Sequence, residues 1–268
     1  MRDVFETGNK DSDVQERQIG HGEFGDIRVR RMSRNGVESL CAEKDYRGDV
    51  ERGQHAYSVW FALHSAGVPT FTWYERSSDR DDVISMPFVG SPSRENGKHV
   101  PGDILCATPL QRSEGMNILE KEGLAIDEEN IDALCINVLE IIRGADAINA
   151  ELTHDSVLFR ATYHENTWKL SEIFIGDFDA VSVHGEEAGY ISPRELHENN
   201  LMAVVGTTRH FVEEFCKKSS SMTAEGIGDL LKESVRIGRT LSEEEKKRIL
   251  EESTVPLVAM NVTSWDDL

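Results

Sequence analysis

The chain of 268 residues lacks long apolar runs, has few cysteines and carries far fewer basic than acidic side chains. No stretch approaches the roughly 18 apolar residues that read as a membrane-spanning helix, so we expect neither a membrane protein nor membrane binding. The opening residues Met1–Glu6 contain no apolar segment suited to a secretory signal peptide. These absences predict a soluble protein.

The four cysteines are far apart in the sequence and mostly have apolar neighbours. They are Cys41, Cys106, Cys135 and Cys216. Neither a disulfide framework nor the short spacings of a zinc site is present, so we expect reduced thiols in the core. A reducing, cytoplasmic location follows, in the cell of origin or in a host cell if the protein is exported.

Acidic side chains outnumber basic ones by 49 to 29, which gives a formal net charge of −20. Such a charge repels the phosphate backbone of nucleic acids and anionic membrane surfaces unless a local basic patch offsets it. The sequence contains no evident patch of that kind. We therefore exclude nucleic acid as a partner and expect a protein partner.

A glycine-rich segment, with Gly20, Gly22 and Gly25, precedes a strand-like segment that ends at Lys44. Glycine lets backbone N–H groups approach phosphate oxygens closely, and a lysine on a neighbouring strand adds a compact positive charge. The residues after Gly25 alternate as in a strand, and a second strand carries Lys44. This order differs from the strand, loop and helix of a dinucleotide-binding unit. An ordinary hairpin turn remains the alternative.

Apolar periodicity and turn residues predict several further elements downstream. These are a helix over 50–66, strands over 70–74 and 82–86, a short helix near 114–122, a long helix from Ile131, and strands over 157–159 and 168–175. The last strand ends in Gly176-Asp177-Phe178-Asp179. An aspartate directly after an apolar strand suits Mg²⁺, which takes one or two carboxylates together with phosphate oxygens. A surface turn is the alternative.

The order of these motifs resembles that of the protein kinases: a glycine loop, a strand lysine, a hinge after Met86, an Asp-Phe pair and a Ser-Pro-Arg-Glu segment at 192–195. The resemblance spans roughly residues 18–210. It implies an α+β, bilobal kinase-like fold with a five-stranded antiparallel N-lobe and an abbreviated helical C-lobe.

The domain boundaries follow from the same resemblance. Residues 1–16 are polar and are expected to form a disordered tail, residues 17–89 the N-lobe and residues 90–268 the C-lobe. The short C-lobe is similar in size to that of kinase-like effectors which bacteria deliver into host cells.

The resemblance also implies ATP and Mg²⁺ as cofactors. The residues implied to bind the nucleotide are Ile19, Gly20, Gly22, Gly25, Lys44, Met86 and Phe88. Asp177 is the implied metal ligand, although Asp179 replaces the usual glycine of the kinase motif. A glutamate from the first helix normally pairs with the lysine. Glu51 is the preferred residue, ahead of Glu38 and Glu43, but it equally suits a solvated first turn.

The catalytic loop allows two placements. Without gaps, Glu151 takes the position of the base and Ser156 that of the second metal ligand. With a shortened loop, Asp155 is the base and His154 orients it, although a histidine before a buried strand also suits a structural role. We prefer Asp155. The helix that follows carries Asn199 or Asn200 where kinases have an aspartate.

The expected function is transfer of the γ-phosphate of ATP to a hydroxyl of a partner protein, with Ser or Thr favoured over Tyr. A catalytically impaired pseudokinase that binds ATP or protein is the first alternative, because the catalytic loop diverges. Phosphorylation of a small molecule is the second.

Overall fold

The computed structural model describes residues 17–21, 25–34, 37–77, 79–88, 94–95, 98–99, 102, 104–107, 114–184, 191–216, 242 and 244. The proposed tail 1–16, Gly22 of the glycine loop and nearly all of the chain after residue 216 lie outside the described residues.

The first part of the described chain includes a five-stranded antiparallel sheet in the order β1-β2-β3-β5-β4. Its strands are β1 (Arg17–His21), β2 (Asp26–Arg34), β3 (Val37–Asp45), β4 (Glu75–Arg76) and β5 (Val83–Pro87). The predicted strands before and after the glycine loop and the strand that carries Lys44 are confirmed. Residues 35–36 of the predicted turn lie outside the described residues. The β1–β2 pairing is irregular between Gln18 and Gly20, where Ile19 lies.

The predicted strand over 70–74 is wrong, because β4 covers only Glu75 and Arg76. Residues 69–71 use their backbone groups in contacts with other elements. The carbonyl of Pro69 accepts the N–H of Ile175, and the carbonyl of Phe71 accepts the indole N–H of Trp60. The segment thereby connects Trp60 to the strand that ends at Ile175, two residues before Asp177.

The predicted helix over 50–66 is present as α1 (Val50–Ser65). The Asp49 carboxylate caps its first turn by accepting the N–H of Arg52, and Gly67 follows it with a positive φ of 79°. Its buried face consists of small and apolar residues, namely Gly53, Ala56, Val59, Trp60 and Leu63. This face packs against β5 and against the short turn that carries Asp179.

The second half of the described chain combines helices with a three-stranded antiparallel sheet in the order β11-β10-β8. Its elements up to this sheet are β6 (Arg94–Glu95), β7 (Lys98–His99), β8 (Ile104–Ala107), α2 (Glu114–Glu122), α3 (Glu128–Ala147), β9 (Ala150–Glu151), β10 (Val157–His164) and β11 (Thr167–Ile175). The helix predicted near 114–122 and the hairpin before Asp177 are confirmed. The long helix is also confirmed, with its predicted apolar face buried from Leu134 to Ala145.

After β11 the chain forms a single 3-10 turn at Phe178–Ala180, β12 (Ser182–Val183), α4 (Pro193–Leu201), a π-helical segment at Met202–Gly206 and α5 (Thr207–Phe215). β12 pairs with β9 and so brings the segment after Asp177 beside the predicted catalytic loop. Ser192 caps α4 by accepting the N–H of Glu195.

All four cysteines are free thiols. Burial raises the pKa of Cys41 to about 11 and those of Cys106 and Cys216 to about 12. Thiols with such pKa values are protonated and unreactive at neutral pH. Among the described residues, no helix combines the length and the hydropathy needed to cross a bilayer.

Candidate functional site

Lys44 reaches the interior of the molecule because of the two-residue period of β3. Residues Leu40 and Ala42 of the same strand are buried in the core, and Lys44 lies on their side of the sheet. Its side chain is only 12% exposed. A buried ammonium is stable only when carboxylates or hydrogen-bond acceptors surround it.

Two aspartates supply these acceptors. The Nζ of Lys44 donates to Oδ1 of Asp177 at 2.6 Å and to Oδ1 of Asp179 at 2.5 Å. Both aspartates flank Phe178, whose buried ring packs edge-on against Tyr74 with centroids 4.9 Å apart. The anchored phenylalanine fixes the turn, and the turn directs both carboxylates toward the lysine. We call Lys44, Asp177 and Asp179 the lysine cluster.

Two buried tyrosines complete the cluster on one side. The Tyr46 hydroxyl donates to Oδ1 of Asp179 at 3.3 Å and lies 3.5 Å from the Tyr74 hydroxyl. The Lys44 ammonium also lies 5.2 Å from the centre of the Tyr46 ring. Burial, followed by the proximity of Tyr74 and Asp179, raises the pKa of Tyr46, so its hydroxyl remains a donor. Neither tyrosine was identified from the sequence, although Tyr46 lies only two residues after Lys44.

Burial and the neighbouring charges shift the pKa values of all three residues of the lysine cluster. Burial works against the Lys44 ammonium, but attraction by Asp177 and Asp179 outweighs it and raises the lysine pKa. Burial raises the pKa of Asp177 to about 6. The attraction of Lys44 acts in the opposite direction, and the nearby Asp179 charge adds to the increase. Burial also disfavours the charged form of Asp179, but its contacts with Asp177 and Lys44 prevail and lower its pKa. At neutral pH the cluster therefore holds two carboxylates and one ammonium.

The part of the glycine loop that the structure describes lies next to this cluster. Gly25 is buried, and a Cβ atom at its position would be 2.7 Å from the carbonyl oxygen of Asp45. Close packing against β3 therefore requires glycine at this position, whatever the loop binds. Met86 pairs with Ala42 across the sheet, and Met86 and Phe88 are both buried in the common core.

The expected helix glutamate does not pair with Lys44. Glu51 is exposed in the first turn of α1, where the helix dipole favours an acid. Glu43 instead contacts Arg30 and accepts a hydrogen bond from Ser85, and the side chain of Glu38 lies outside the described residues. The buried face of α1 offers no acid, which explains why the lysine pairs with Asp179.

The predicted catalytic loop, which follows α3, is held by side-chain hydrogen bonds. Glu151 accepts from Nδ2 of Asn199 at 2.8 Å through one oxygen and hydrogen-bonds Nε2 of His184 at 2.8 Å through the other. Ser156 is completely buried, and its hydroxyl donates to the Thr153 carbonyl and accepts the Thr153 N–H. These contacts occupy the groups that the ungapped placement requires for chemistry.

Asp155 presents the opposite situation. Its side chain is exposed on the 3-10 turn His154–Ser156, and none of the described residues hydrogen-bonds or ion-pairs with its carboxylate. His154 hydrogen-bonds the Thr207 hydroxyl at 2.7 Å rather than Asp155, which supports the structural interpretation of this histidine.

Asn200 holds the loop in place through hydrogen bonds, a role that the sequence did not reveal. Its side chain is fully buried, and its Oδ1 accepts the N–H of Leu152 at 2.8 Å. Its Nδ2 donates at 2.9 Å to the carbonyl of Ala150 and to Oδ1 of Asp146. Only an amide can accept one and donate two of these bonds at once.

The lysine cluster fits a magnesium ion bound together with phosphates. The described part of the chain contains no group of three or more His, Cys, Asp or Glu side chains placed to hold a metal by themselves. Mg²⁺, however, usually binds through one or two carboxylates and completes its shell with phosphate oxygens and water. Asp177, whose side chain is 25% exposed, is the ligand that this arrangement offers.

Neither a search of family models nor a search of curated proteins finds a match to this chain. What the protein does must therefore be inferred from the chemistry of its own residues.

Proposed function

We propose that the chain is an ATP-dependent protein kinase that transfers the γ-phosphoryl group of Mg·ATP to a Ser or Thr hydroxyl of a partner protein. The observation that carries this proposal is the contact between Lys44 and Asp177. These residues are 133 positions apart in the sequence, yet their Nζ and Oδ1 atoms lie 2.6 Å apart beside the strands of the glycine loop. A lysine from a sheet and an aspartate at a strand end are the pair that a triphosphate and its metal need.

Different residues of the site would bind the phosphates, the metal and the adenine. When a triphosphate enters, the Lys44 ammonium would exchange its bond to Asp177 for phosphate oxygens, and the Asp177 carboxylate, whose side chain is 25% exposed, would become available to the metal. Asp177 would hold Mg²⁺, and the metal would supply positive charge against the negative charge that develops during transfer. Backbone groups of the loop at Gly20 and Gly25 close over the phosphates, and Met86 and Phe88 border the adenine. The protein thus contributes positioning and charge.

In the transfer step the substrate hydroxyl oxygen forms a bond to the γ-phosphorus. The bond from that phosphorus to the β–γ bridging oxygen breaks, and ADP leaves with the electron pair. The hydroxyl proton passes to a carboxylate, for which Asp155 is preferred because it is exposed and unengaged among the described residues. Glu151 is less suited because both of its oxygens already accept hydrogen bonds.

A catalytically impaired pseudokinase is the second candidate, and the catalytic loop favours it. The Ser156 hydroxyl and both Glu151 oxygens are engaged in holding the loop. A protein with this loop and an intact lysine cluster would bind Mg·ATP without turning it over.

The decisive experiment measures incorporation of labelled phosphate from Mg·ATP into the protein itself and into a generic protein substrate. Lys44→Ala and Asp177→Ala should each reduce transfer by about 10²–10³-fold or more, because each removes a charge that acts on the transferred group. Lys121→Ala, at an exposed position of α2, is the matched control and should keep wild-type activity. Transfer that survives either site substitution would reject the site.

The base is identified by comparing Asp155→Asn with Glu151→Gln in the same assay. Only the true base should lose about 10²–10⁴-fold in rate. If the wild-type protein gives a thermal shift with Mg·ATP but no transfer, the pseudokinase is the better description.

A further inference from the structure

We infer that Asp179 is the positioning residue for Lys44 and takes the part that the kinase resemblance assigns to a helix glutamate. Its contact with the lysine is a property of the fold, whereas its importance for phosphate transfer rests on the proposed function. Asp179 replaces the glycine of the kinase motif, and the lysine then has its acidic partner at this position instead of on the helix.

Helix α1 cannot provide this partner. Its buried residues are Gly53, Ala56, Val59, Trp60 and Leu63, none of which carries a charge. Within the described residues the acids that contact the Lys44 ammonium are Asp177 and Asp179. One of these two must therefore hold the lysine when the other is taken up by a metal.

The two aspartates differ in how firmly the protein fixes them. The Asp179 side chain is 2% exposed, whereas that of Asp177 is 25% exposed. The Tyr46 hydroxyl donates to the same Asp179 oxygen that accepts from Lys44. Asp179 is thus enclosed with its partners, while Asp177 borders solvent, where a hydrated cation can reach it. This asymmetry assigns the lysine to Asp179 and the metal to Asp177.

The geometry leaves the lysine enough donors for its ligand. An ammonium has three N–H donors, and Asp179 uses one of them. The donor that contacts Asp177 in this structure and the third remain for phosphate oxygens. Without Asp179 the lysine keeps its charge and still attracts a triphosphate, but its direction is no longer fixed. Loss of alignment lowers the rate of the chemical step more than it weakens binding.

The first test observes Lys44 directly and needs no activity. In protein labelled with ε-¹³C lysine, the Lys44 signal is assigned by its absence from Lys44→Arg. Asp179→Asn should shift and narrow this signal toward those of exposed lysines, whereas the matched Asp177→Asn should leave it close to its wild-type position. Equal effects of the two substitutions, or a larger effect of Asp177→Asn, would overturn the inference.

A second variant covers the case in which Asp179→Asn does not fold. Tyr46→Phe removes only the hydroxyl that holds Asp179. It should broaden the Lys44 signal or move it partway toward that of a mobile lysine. An unchanged Lys44 signal in Tyr46→Phe would count against the inference.

The kinetic test separates positioning from metal binding. Asp179→Asn should lower kcat by about 10²-fold with less than about a threefold change in KM for ATP, and Asp179→Glu should recover part of the rate. The Mg²⁺ concentration for half-maximal activity should stay unchanged. A rise in that concentration would instead make Asp179 a metal ligand and would contradict the assignment. If the wild-type protein transfers no phosphate, the proposed function fails, but the lysine signal still decides the role of Asp179.

Discussion

Two regions of the molecule, the lysine cluster and the predicted catalytic loop, hold acidic side chains in different ways. In the lysine cluster, two carboxylates share one ammonium, so the group keeps a net negative charge. In the catalytic loop, Glu151 is satisfied by an amide and an imidazole, and Ser156 by the backbone of Thr153. A cluster with a net charge can replace one of its internal contacts by a contact with a cation or a phosphate. A side chain whose polar atoms are all hydrogen-bonded mainly stabilises the conformation of its loop.

The largest effect on stability is expected in the satisfied region, at Asn200. Asn200→Asp replaces the amide that donates to Ala150 and Asp146 with a carboxylate facing the carboxylate of Asp146. We expect the free energy of unfolding to fall by about 2–4 kcal/mol, because a buried hydrogen-bond network is broken and like charges meet. Urea denaturation measures this change.

The control for Asn200→Asp is Asn117→Asp on the exposed side of α2, which should alter stability by less than about 0.5 kcal/mol. If the two substitutions had similar effects, the catalytic loop would not depend on the amide, and its contrast with the lysine cluster would disappear.

A smaller effect is expected at Gly25, which tests whether the lysine cluster depends on shape as well as charge. The added Cβ of Gly25→Ala would press against the carbonyl of Asp45, next to Lys44 in the strand. We expect a loss of about 1–3 kcal/mol from this overpacking, seen as a lower urea midpoint.

Gly206→Ala provides the comparison, because no atom beyond its chain neighbours and the backbone of its own helix lies within 4 Å of the Cβ that it would add. In its helical position alanine should be neutral or stabilising by up to about 1 kcal/mol. A harmless Gly25→Ala would show that the strand can move and that glycine is not required there for packing.

The smallest effect concerns pH and Asp177. Its pKa rises from 3.8 to about 6 in the folded protein, so between these values the folded state binds more protons at this group than the unfolded state. The contribution of Asp177 to stability is therefore present at acid pH and is lost as the pH rises through about 6. We expect the difference in unfolding free energy between wild type and Asp177→Asn to fall by on the order of 1 kcal/mol across this window.

Urea denaturation of both proteins between about pH 4 and pH 7 provides this difference, because the effects of acids distant from Asp177 cancel. A difference that stays constant with pH would show that folding does not shift the pKa of Asp177. A difference that grows as the pH rises would show that the surroundings stabilise its carboxylate.

The sequence predicted those elements whose local pattern agrees with their final environment. The face of α3 repeats every turn, and the residues after Gly25 alternate as in a strand, so both elements were predictable. Residues 70–74 also look like a strand, but the carbonyl of Phe71 accepts from Trp60 on a helix, and the preceding Pro69 accepts from Ile175, which is distant in sequence. Contacts of this kind leave no local pattern.

The candidate site was predictable only in part for the same reason. Lys44 and Asp177 each occur in a motif whose residue type and strand context suggest their role. Asp179 looked like a defect in its motif, and Glu51 looked like the lysine's partner, because a sequence does not show which acid reaches a buried ammonium. The hydrogen bonds of Asn200 and Tyr46 are likewise consequences of packing.

The segment from Gly176 to Ala180 is fixed at both of its ends. Before it, the N–H of Ile175 donates to Pro69 in the loop after α1; beyond it, the carbonyl of Val181 hydrogen-bonds His55 of α1 itself. Phe178 fills a pocket of aromatic rings between these points. A ligand that requires Phe178 to leave this pocket would have to detach the segment from α1, so the fold disfavours such ligands and selects those that accept the aspartates where they stand.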